Sequence, residues 1–204
     1  MLVSELENKV IKAIGHVKDL YKECERDFTT EEDIVCILFS ELRKQLRNTH
    51  LTVHSQVRPF YHENGHDKVI IEKPKKVFSW KSQEKANHGC TIDVAVIDVC
   101  DKYWELVLEK ARRDQKVRDD KLKRWRILSY PVESICVAIE VKARVQRNFS
   151  KIAKDINELC RLREKNPKCL CFLVVLDRCS KKEEEERIKD YAEKRDIKCI
   201  LYRI

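Results

Sequence analysis

Two apolar stretches decide the fold of this chain: Thr91-Ile-Asp-Val-Ala-Val-Ile-Asp-Val99 and Ser134-Ile-Cys-Val-Ala-Ile-Glu-Val-Lys142. Both are rich in β-branched residues. Near-continuous apolar runs of this length are typical of strands that are buried on both faces of a sheet. We therefore predict two central strands, over 91–99 and 134–142.

Both predicted strands carry charged side chains, which are unexpected in a buried strand. Asp93 interrupts the first run, and Glu140 and Lys142 end the second. Because side chains two apart in a strand point to the same face, Glu140 and Lys142 share a face. If the strands are neighbours, Asp93 lies beside Glu140, and the two carboxylates repel unless a cation lies between them. Mg²⁺, which takes one or two carboxylates plus phosphate oxygens, would relieve that repulsion.

A purely structural interpretation of these residues stays open. Charged residues make up 38% of the chain, so a Glu-x-Lys pattern arises easily, as at Glu7 and Lys9. Asp93, Glu140 and Lys142 would then form an ion-pair cluster at the edge of the sheet, since structural networks also perturb charged groups.

The rest of the chain alternates between predicted helices and strands. We expect an amphipathic helix over 3–25, and a second helix that is capped by one of the threonines at 29–30 and ends near Asn48. Further expected elements are a strand at 51–61, irregular chain at 62–89, a charged helix at 101–126, a helix capped by Ser150, a strand at 169–176, a charged helix at 180–195 and a strand at 197–202. Strands that alternate with helices in this way predict a layered α/β domain.

Composition excludes several classes of function. The chain has 204 residues and only 3 glycines, and it contains no P-loop, no Rossmann fingerprint and no GxSxG nucleophile elbow. The formal net charge of +8 favours a polyanionic partner, although excess charge also serves solubility. No signal peptide and no membrane-spanning run is evident, so we expect a cytoplasmic protein with no membrane partner.

The ten cysteines are expected to be reduced thiols, most of them packed as small hydrophobic residues. Cys36, Cys136, Cys169, Cys171 and Cys199 lie in apolar runs. Two metal sites are alternatives: one at Cys169, Cys171 and Cys179, and a zinc site at the histidine pairs 50/54 or 62/66.

A strand with Asp, then a strand with Glu-x-Lys, then a helix resembles the PD-(D/E)XK nuclease superfamily, which includes many restriction endonucleases and the archaeal Holliday junction resolvases. The matching residues are Asp93 in TIDVAVID, and Glu140 and Lys142 in AIEVKAR. The residue before Asp93 is Ile92 instead of the proline of the family motif. The resemblance covers roughly 28–176.

The resemblance implies an α/β fold of restriction-endonuclease-like type, with a mixed central sheet flanked by helices. Residues 1–204 would form a single nuclease-like domain. The helix at 3–25 would be an N-terminal addition to this fold, and 101–126 would be a charged helical insertion.

The resemblance also implies a set of site residues. Asp93 and Glu140 would bind Mg²⁺ or Mn²⁺, with the Val141 carbonyl as a further ligand. Lys142 would orient the attacking water or stabilise the charge at phosphorus. The family has an acidic residue before the sheet, which here would be Glu31, Glu32 or Asp33. Helical phase favours Glu31, which would complete the catalytic set by holding a second metal ion or a metal-bound water. The alternative for Glu31 is an acid that stabilises the helix dipole.

Basic residues close to this pattern are candidates for phosphate binding. Arg144, Arg147, Lys151 and Lys154 follow Lys142 closely, and their alternative is solvated surface. The 101–126 segment has ten basic and six acidic residues. It would contact DNA or, alternatively, form a helix pair in a homodimer.

The sequence thus predicts a metal-dependent endonuclease that hydrolyses DNA. The alternative is a nucleic-acid-binding or protein-interaction module that keeps the nuclease fold without catalysis.

Overall fold

The computed structural model describes residues 1–23, 30–63, 66–69, 91–100, 103, 105–109, 129–143, 149–177 and 182–203. Its principal elements are α1 (Val3–Glu23), α2 (Glu31–Gln45), β1 (Leu51–Glu63), β2 (His66–Val69), β3 (Ile92–Asp98), β4 (Ser129–Pro131), β5 (Ile135–Ala143), α3 (Phe149–Lys165), β6 (Leu170–Asp177), α4 (Lys182–Glu193) and β7 (Lys198–Arg203).

A mixed five-strand sheet in the order β1-β3-β5-β6-β7 forms the centre of the described residues. The first three of these strands form an antiparallel meander, and β5, β6 and β7 are parallel. Helices α3 and α4 connect the parallel strands, as parallel pairing requires a crossover. The predicted fold class, an α/β domain with a mixed central sheet flanked by helices, is confirmed.

Helices cover both faces of the sheet. α1 and α2 pack on one face, over a cluster of buried side chains that includes Val96, Ile139 and Phe172. α3 and α4 pack on the other face, over a cluster that includes Ala138 and Leu173. Because both faces are covered, the central strands are apolar almost throughout. In the described part of the chain, no helix has the length and apolar character needed to cross a bilayer.

The N-terminus of α2 is fixed by a reciprocal cap. The Thr30 hydroxyl accepts a hydrogen bond from the Asp33 backbone N–H, and the Asp33 carboxylate accepts one from the Thr30 N–H at 2.8 Å. This is the capping box that the sequence predicts. The helix ends at Gln45, before the expected end near Asn48. The Thr49 hydroxyl donates a hydrogen bond to the Leu46 carbonyl and accepts one from the N–H of Leu51, the first residue of β1. These bonds turn the chain from the helix into the strand.

The chain after 61 is more regular than expected. β1 continues to Glu63 and forms an antiparallel hairpin with β2, where we predicted irregular chain. The irregular prediction was wrong at 66–69 because polar residues and the nearby Gly65 conceal a short strand. β4 was also missed: it is three residues long, contains Pro131 and pairs in parallel with β1.

Two smaller expectations were wrong. Ser150 does not cap α3, because the helix already begins at Phe149. The Phe149 ring contacts the Tyr191 ring, with 5.5 Å between the ring centroids. Cys36 is exposed, since it lies off the buried stripe of α2. Cys169 and Cys171 are buried, while Cys136 and Cys199 are half-buried.

Candidate active site

The charged end of β5 lies beneath the first half of α3. Glu140 and Lys142 alternate with Ile139 and Val141, which pack toward α1 and α2. The two charged side chains therefore point to the opposite face. There the Lys142 ammonium lies 3.1 Å from Asp155 Oδ2, on α3.

Asp93 lies on the neighbouring strand, directly beside this charged end. β3 and β5 pair at Val94 and Ile139. One residue further along, Asp93 Oδ2 accepts a hydrogen bond from the Val141 N–H at 2.9 Å. Because the N–H and C=O of a strand residue point to the same side, the Val141 carbonyl also faces Asp93. The Asp93 carboxylate thus takes the place of the backbone carbonyl that would otherwise accept the next hydrogen bond between β3 and β5.

Glu140 is the unusual residue of the group. It is 3% exposed, and its Oε1 atom is buried with no hydrogen-bond partner in the part of the chain that the structure describes. Burial raises the pKa of this carboxyl well above its ordinary value, and the charges of Asp93 and Asp155 add to the effect, while Lys142 opposes it. A buried carboxylate that lacks a partner is costly, so the site needs an additional cation or a proton here.

Lys142 lies among several carboxylates. Its ammonium is 3.7 Å from Glu31 Oε2 and 3.9 Å from Glu140 Oε2, in addition to the contact with Asp155. Burial opposes the charge, but the carboxylates, Asp155 foremost, outweigh burial and raise the pKa of Lys142. The side chain is therefore held as an ammonium in one place.

Glu31 reaches the same place from the first turn of α2. Its Oε1 accepts a hydrogen bond from the Ala143 N–H at 3.3 Å, and its other oxygen faces Lys142. The Thr30 cap fixes the start of the helix and so directs Glu31 to the end of β5. All four residues that we named as a catalytic set thus lie together.

Two residues of the site were not found from the sequence. Asp155 lies on the inward stripe of α3, three residues after Ile152 and four before Leu159, and an acid at such a position is a usable signal. Burial raises the pKa of Asp155, against the opposing effect of Lys142. Gln56 of β1 donates its amide to Asp93 Oδ1 at 3.3 Å from a left-handed backbone with φ of 54°. No sequence signal marks that conformation.

The predicted phosphate-binding residues are only partly described. Arg144, Arg147 and most of 101–126 lie outside the described residues. Lys151 is exposed on the first turn of α3. Lys154 lies one turn from Glu158, with 3.8 Å between the charged atoms.

The alternative metal sites receive little support. The Cys169 and Cys171 thiols are 3.9 Å apart at the buried start of β6, and Cys179 lies outside the described residues. The His54 ring is hydrogen bonded to the Tyr130 hydroxyl. Over the described ranges, no group of three or more His, Cys, Asp and Glu side chains is arranged to hold a metal ion.

A site of two carboxylates nevertheless fits a hard divalent cation. Mg²⁺ is usually bound through one or two carboxylates, several waters and a substrate phosphate. Asp93 and Glu140 would supply the carboxylates, and Val141 would add a carbonyl oxygen. The unpartnered Oε1 of Glu140 is the atom that such a cation would satisfy.

Comparison with known proteins yields a distant structural similarity. No family model matches the sequence, and no curated protein matches it. Among solved structures, the chain is similar to E. coli MS115-1 NucC in its cAAA-bound form, with 8% sequence identity and a TM-score of 0.40. The match covers 82% of this chain and 61% of the NucC chain. A similarity this distant supports no conclusion about the site or the activity.

Proposed function

We propose that this protein is a metal-dependent nuclease that hydrolyses phosphodiester bonds in DNA. The observation that carries the proposal is the buried Glu140 carboxylate, whose Oε1 has no hydrogen-bond partner among the described residues, although Asp93 and Lys142 lie beside it. Such an atom needs either a proton or a cation beyond those that the described side chains provide, and a metal ion would supply that cation.

The charge balance favours a metal site over a structural ion-pair cluster. Among the described residues, the cluster around Glu140 and Lys142 contains more carboxyl groups than ammonium groups. The carboxyl groups are those of Glu31, Asp93, Glu140, Asp155 and Glu158, and the ammonium groups are those of Lys142 and Lys154. A cluster that served only stability would be expected to balance its charges, since unpaired buried charge is destabilising. The excess of negative charge leaves room for a divalent cation.

Asp93, Glu140 and the Val141 carbonyl would hold Mg²⁺ or Mn²⁺, which when bound supplies Lewis-acid stabilisation of charge on the phosphoryl oxygens. Lys142 donates hydrogen bonds either to the attacking water or to the developing negative charge at phosphorus. Asp155 fixes the position of that ammonium from α3, at 3.1 Å. Glu31 accepts from the Ala143 N–H and so holds the end of β5 in place.

DNA is the proposed substrate because the chain has a net positive charge and because basic residues follow the acidic site in the sequence. The formal net charge is +8, and Arg144, Arg147, Lys151 and Lys154 follow the site closely in sequence. Lysine and arginine side chains that contact phosphates give salt-dependent binding that is mostly independent of sequence. A cytoplasmic location and a homodimer stay predictions.

The proposal is tested by incubating the protein with plasmid and branched DNA in Mg²⁺, in Mn²⁺ and in EDTA. We expect cleavage with either metal and none in EDTA. Glu140→Gln and Lys142→Ala should each reduce the rate at least a hundredfold, which is the usual scale for one essential electrostatic group. Glu183→Gln and Lys182→Ala, which make the same changes at exposed positions of α4, should cleave normally.

Cleavage that survives Glu140→Gln and Lys142→Ala unchanged would contradict the assignment. Salt-sensitive DNA binding without cleavage in any metal would favour the binding-module alternative. Absence of both binding and cleavage would favour a protein-interaction module.

A further inference from the structure

A second feature of the molecule is formed by residues other than those of the candidate active site. A half-open cavity of about 560 Å³ is formed between the C-terminal half of α2 and the first half of β1. Cavities of this size are typical of small-molecule sites. Its wall includes none of the residues that we place in the active site.

Two arginines give this cavity a positive charge. Arg43 lies in the last turn of α2 and Arg47 lies in the turn that follows the helix, and both line the cavity. Among the described residues that line the cavity, no side chain is acidic. The nearby Glu41 is turned toward Lys44 and His16 instead. A favourable interaction of the helix dipole with basic residues explains arginines at this end of α2, but it does not explain an apolar cavity beside them.

The floor of the cavity is apolar. Leu46 and Leu51 are buried there, and Phe39 lies half-buried beside them, with the Arg43 guanidinium carbon 5.6 Å from its ring centroid. The wall from β1 adds hydroxyl groups at Thr52 and Ser55. Positive charge, hydroxyl groups and an apolar floor are thus combined in one cavity.

We propose that this cavity binds a small organic phosphate of about the size of a mononucleotide. The phosphate lies between the guanidinium groups of Arg43 and Arg47, because arginine pairs with phosphate through two parallel hydrogen bonds. The aromatic or apolar part of the ligand packs on Leu46, Leu51 and Phe39, and Ser55 donates to a polar group at the mouth.

The proposal is tested by isothermal titration calorimetry with thymidine monophosphate, inorganic phosphate, thymidine and an oligothymidylate, all in EDTA. We expect thymidine monophosphate to bind most tightly, because only this probe engages both the arginines and the apolar floor. The double variant Arg43→Ala/Arg47→Ala should weaken this binding about tenfold or more, the loss expected for charge-assisted hydrogen bonds. Phe39→Ala should weaken thymidine monophosphate but not inorganic phosphate.

Two controls separate this cavity from the active site and from loss of folding. Lys189→Ala removes an exposed charge on α4, and Glu140→Gln alters the active site; both should bind thymidine monophosphate normally. Circular dichroism checks that each variant is folded. Lack of thymidine monophosphate binding, binding that survives the double arginine variant, or loss of binding in Glu140→Gln would each overturn the proposal. Binding of the oligothymidylate alone would also overturn it, in favour of a nucleic-acid contact.

Discussion

Lys142 connects the acidic side chains of the candidate site. Its ammonium lies within 4 Å of carboxylates from three elements: Glu31 of α2, Glu140 of β5 and Asp155 of α3. The shortest of these contacts is to Asp155, which is a residue to which we assign no metal-binding role. We therefore regard Asp155 as the residue that positions Lys142.

Replacing Asp155 with Asn should disturb this positioning with little change in shape. We expect kcat for DNA cleavage to fall about tenfold to a hundredfold while KM changes little, because the lost contact acts on the lysine and not on bound DNA. Asp155→Glu should restore part of the rate. The exposed Asp190→Asn serves as the matched control, and a parallel loss of thermal stability and rate in Asp155→Asn would assign it a structural role instead.

Glu140 should make the metal-free protein less stable at neutral pH. Its pKa is raised in the folded state from an ordinary 4.5, so its contribution to stability is complete below that value and is lost as pH rises toward the folded-state pKa. In EDTA, Glu140→Gln should therefore raise Tm more at pH 8 than at pH 5. A stabilisation of about 1 kcal/mol corresponds to about 2–4 °C for a chain of this size.

Differential scanning fluorimetry across that pH range measures the difference directly. Glu183→Gln should show no such pH-dependent gain, since its side chain is exposed. A Tm difference for Glu140→Gln that shrinks as pH rises would contradict the assignment.

At the scale of elements, the site depends on where three secondary structures end or begin. β5 carries Glu140 and Lys142 to its C-terminal end, α2 brings Glu31 by its first turn, and α3 supplies Asp155. The Thr30 cap fixes the start of α2, since the Thr30 hydroxyl accepts from the Asp33 N–H and the Asp33 carboxylate accepts from the Thr30 N–H.

Thr30→Ala should remove this cap and destabilise the protein by about 1 kcal/mol, the usual cost of losing such a residue. Urea unfolding measures the change. Thr30→Ser should retain most of the stability, because the hydroxyl is kept. Equal losses for the two substitutions would show that the hydroxyl does not cap α2.

The sequence allowed the central strands to be predicted, since β3 and β5 are rich in β-branched residues, and each differs from its prediction by one residue at each end. Asp93 and Glu140 attracted attention because charge is rare in such runs. Gln56 could not be predicted, because a left-handed residue in a strand has no local signature outside glycine and asparagine. The β1–β2 hairpin was missed because its second strand is short and polar, so no alternation of apolar residues marks it.

At the scale of the whole molecule, the described residues form a sheet with helices on both faces. The charged side chains of the candidate site lie at the C-terminal end of β5. The fold class followed from the alternation of strands and helices, while the second face of the site, contributed by α3, depended on tertiary packing that periodicity alone does not specify. The cavity beside α2 is a further product of that packing, since its wall joins one helix to the first half of β1.

The central claim is that Asp93 and Glu140 together bind a divalent cation. The most direct measurement is Mn²⁺ binding by the metal-free protein, followed by electron paramagnetic resonance of the free ion. We predict one site that is retained in Glu183→Gln, and a loss of at least tenfold in affinity in Asp93→Asn and in Glu140→Gln. Failure to bind Mn²⁺, or binding that both substitutions leave unchanged, would contradict the account.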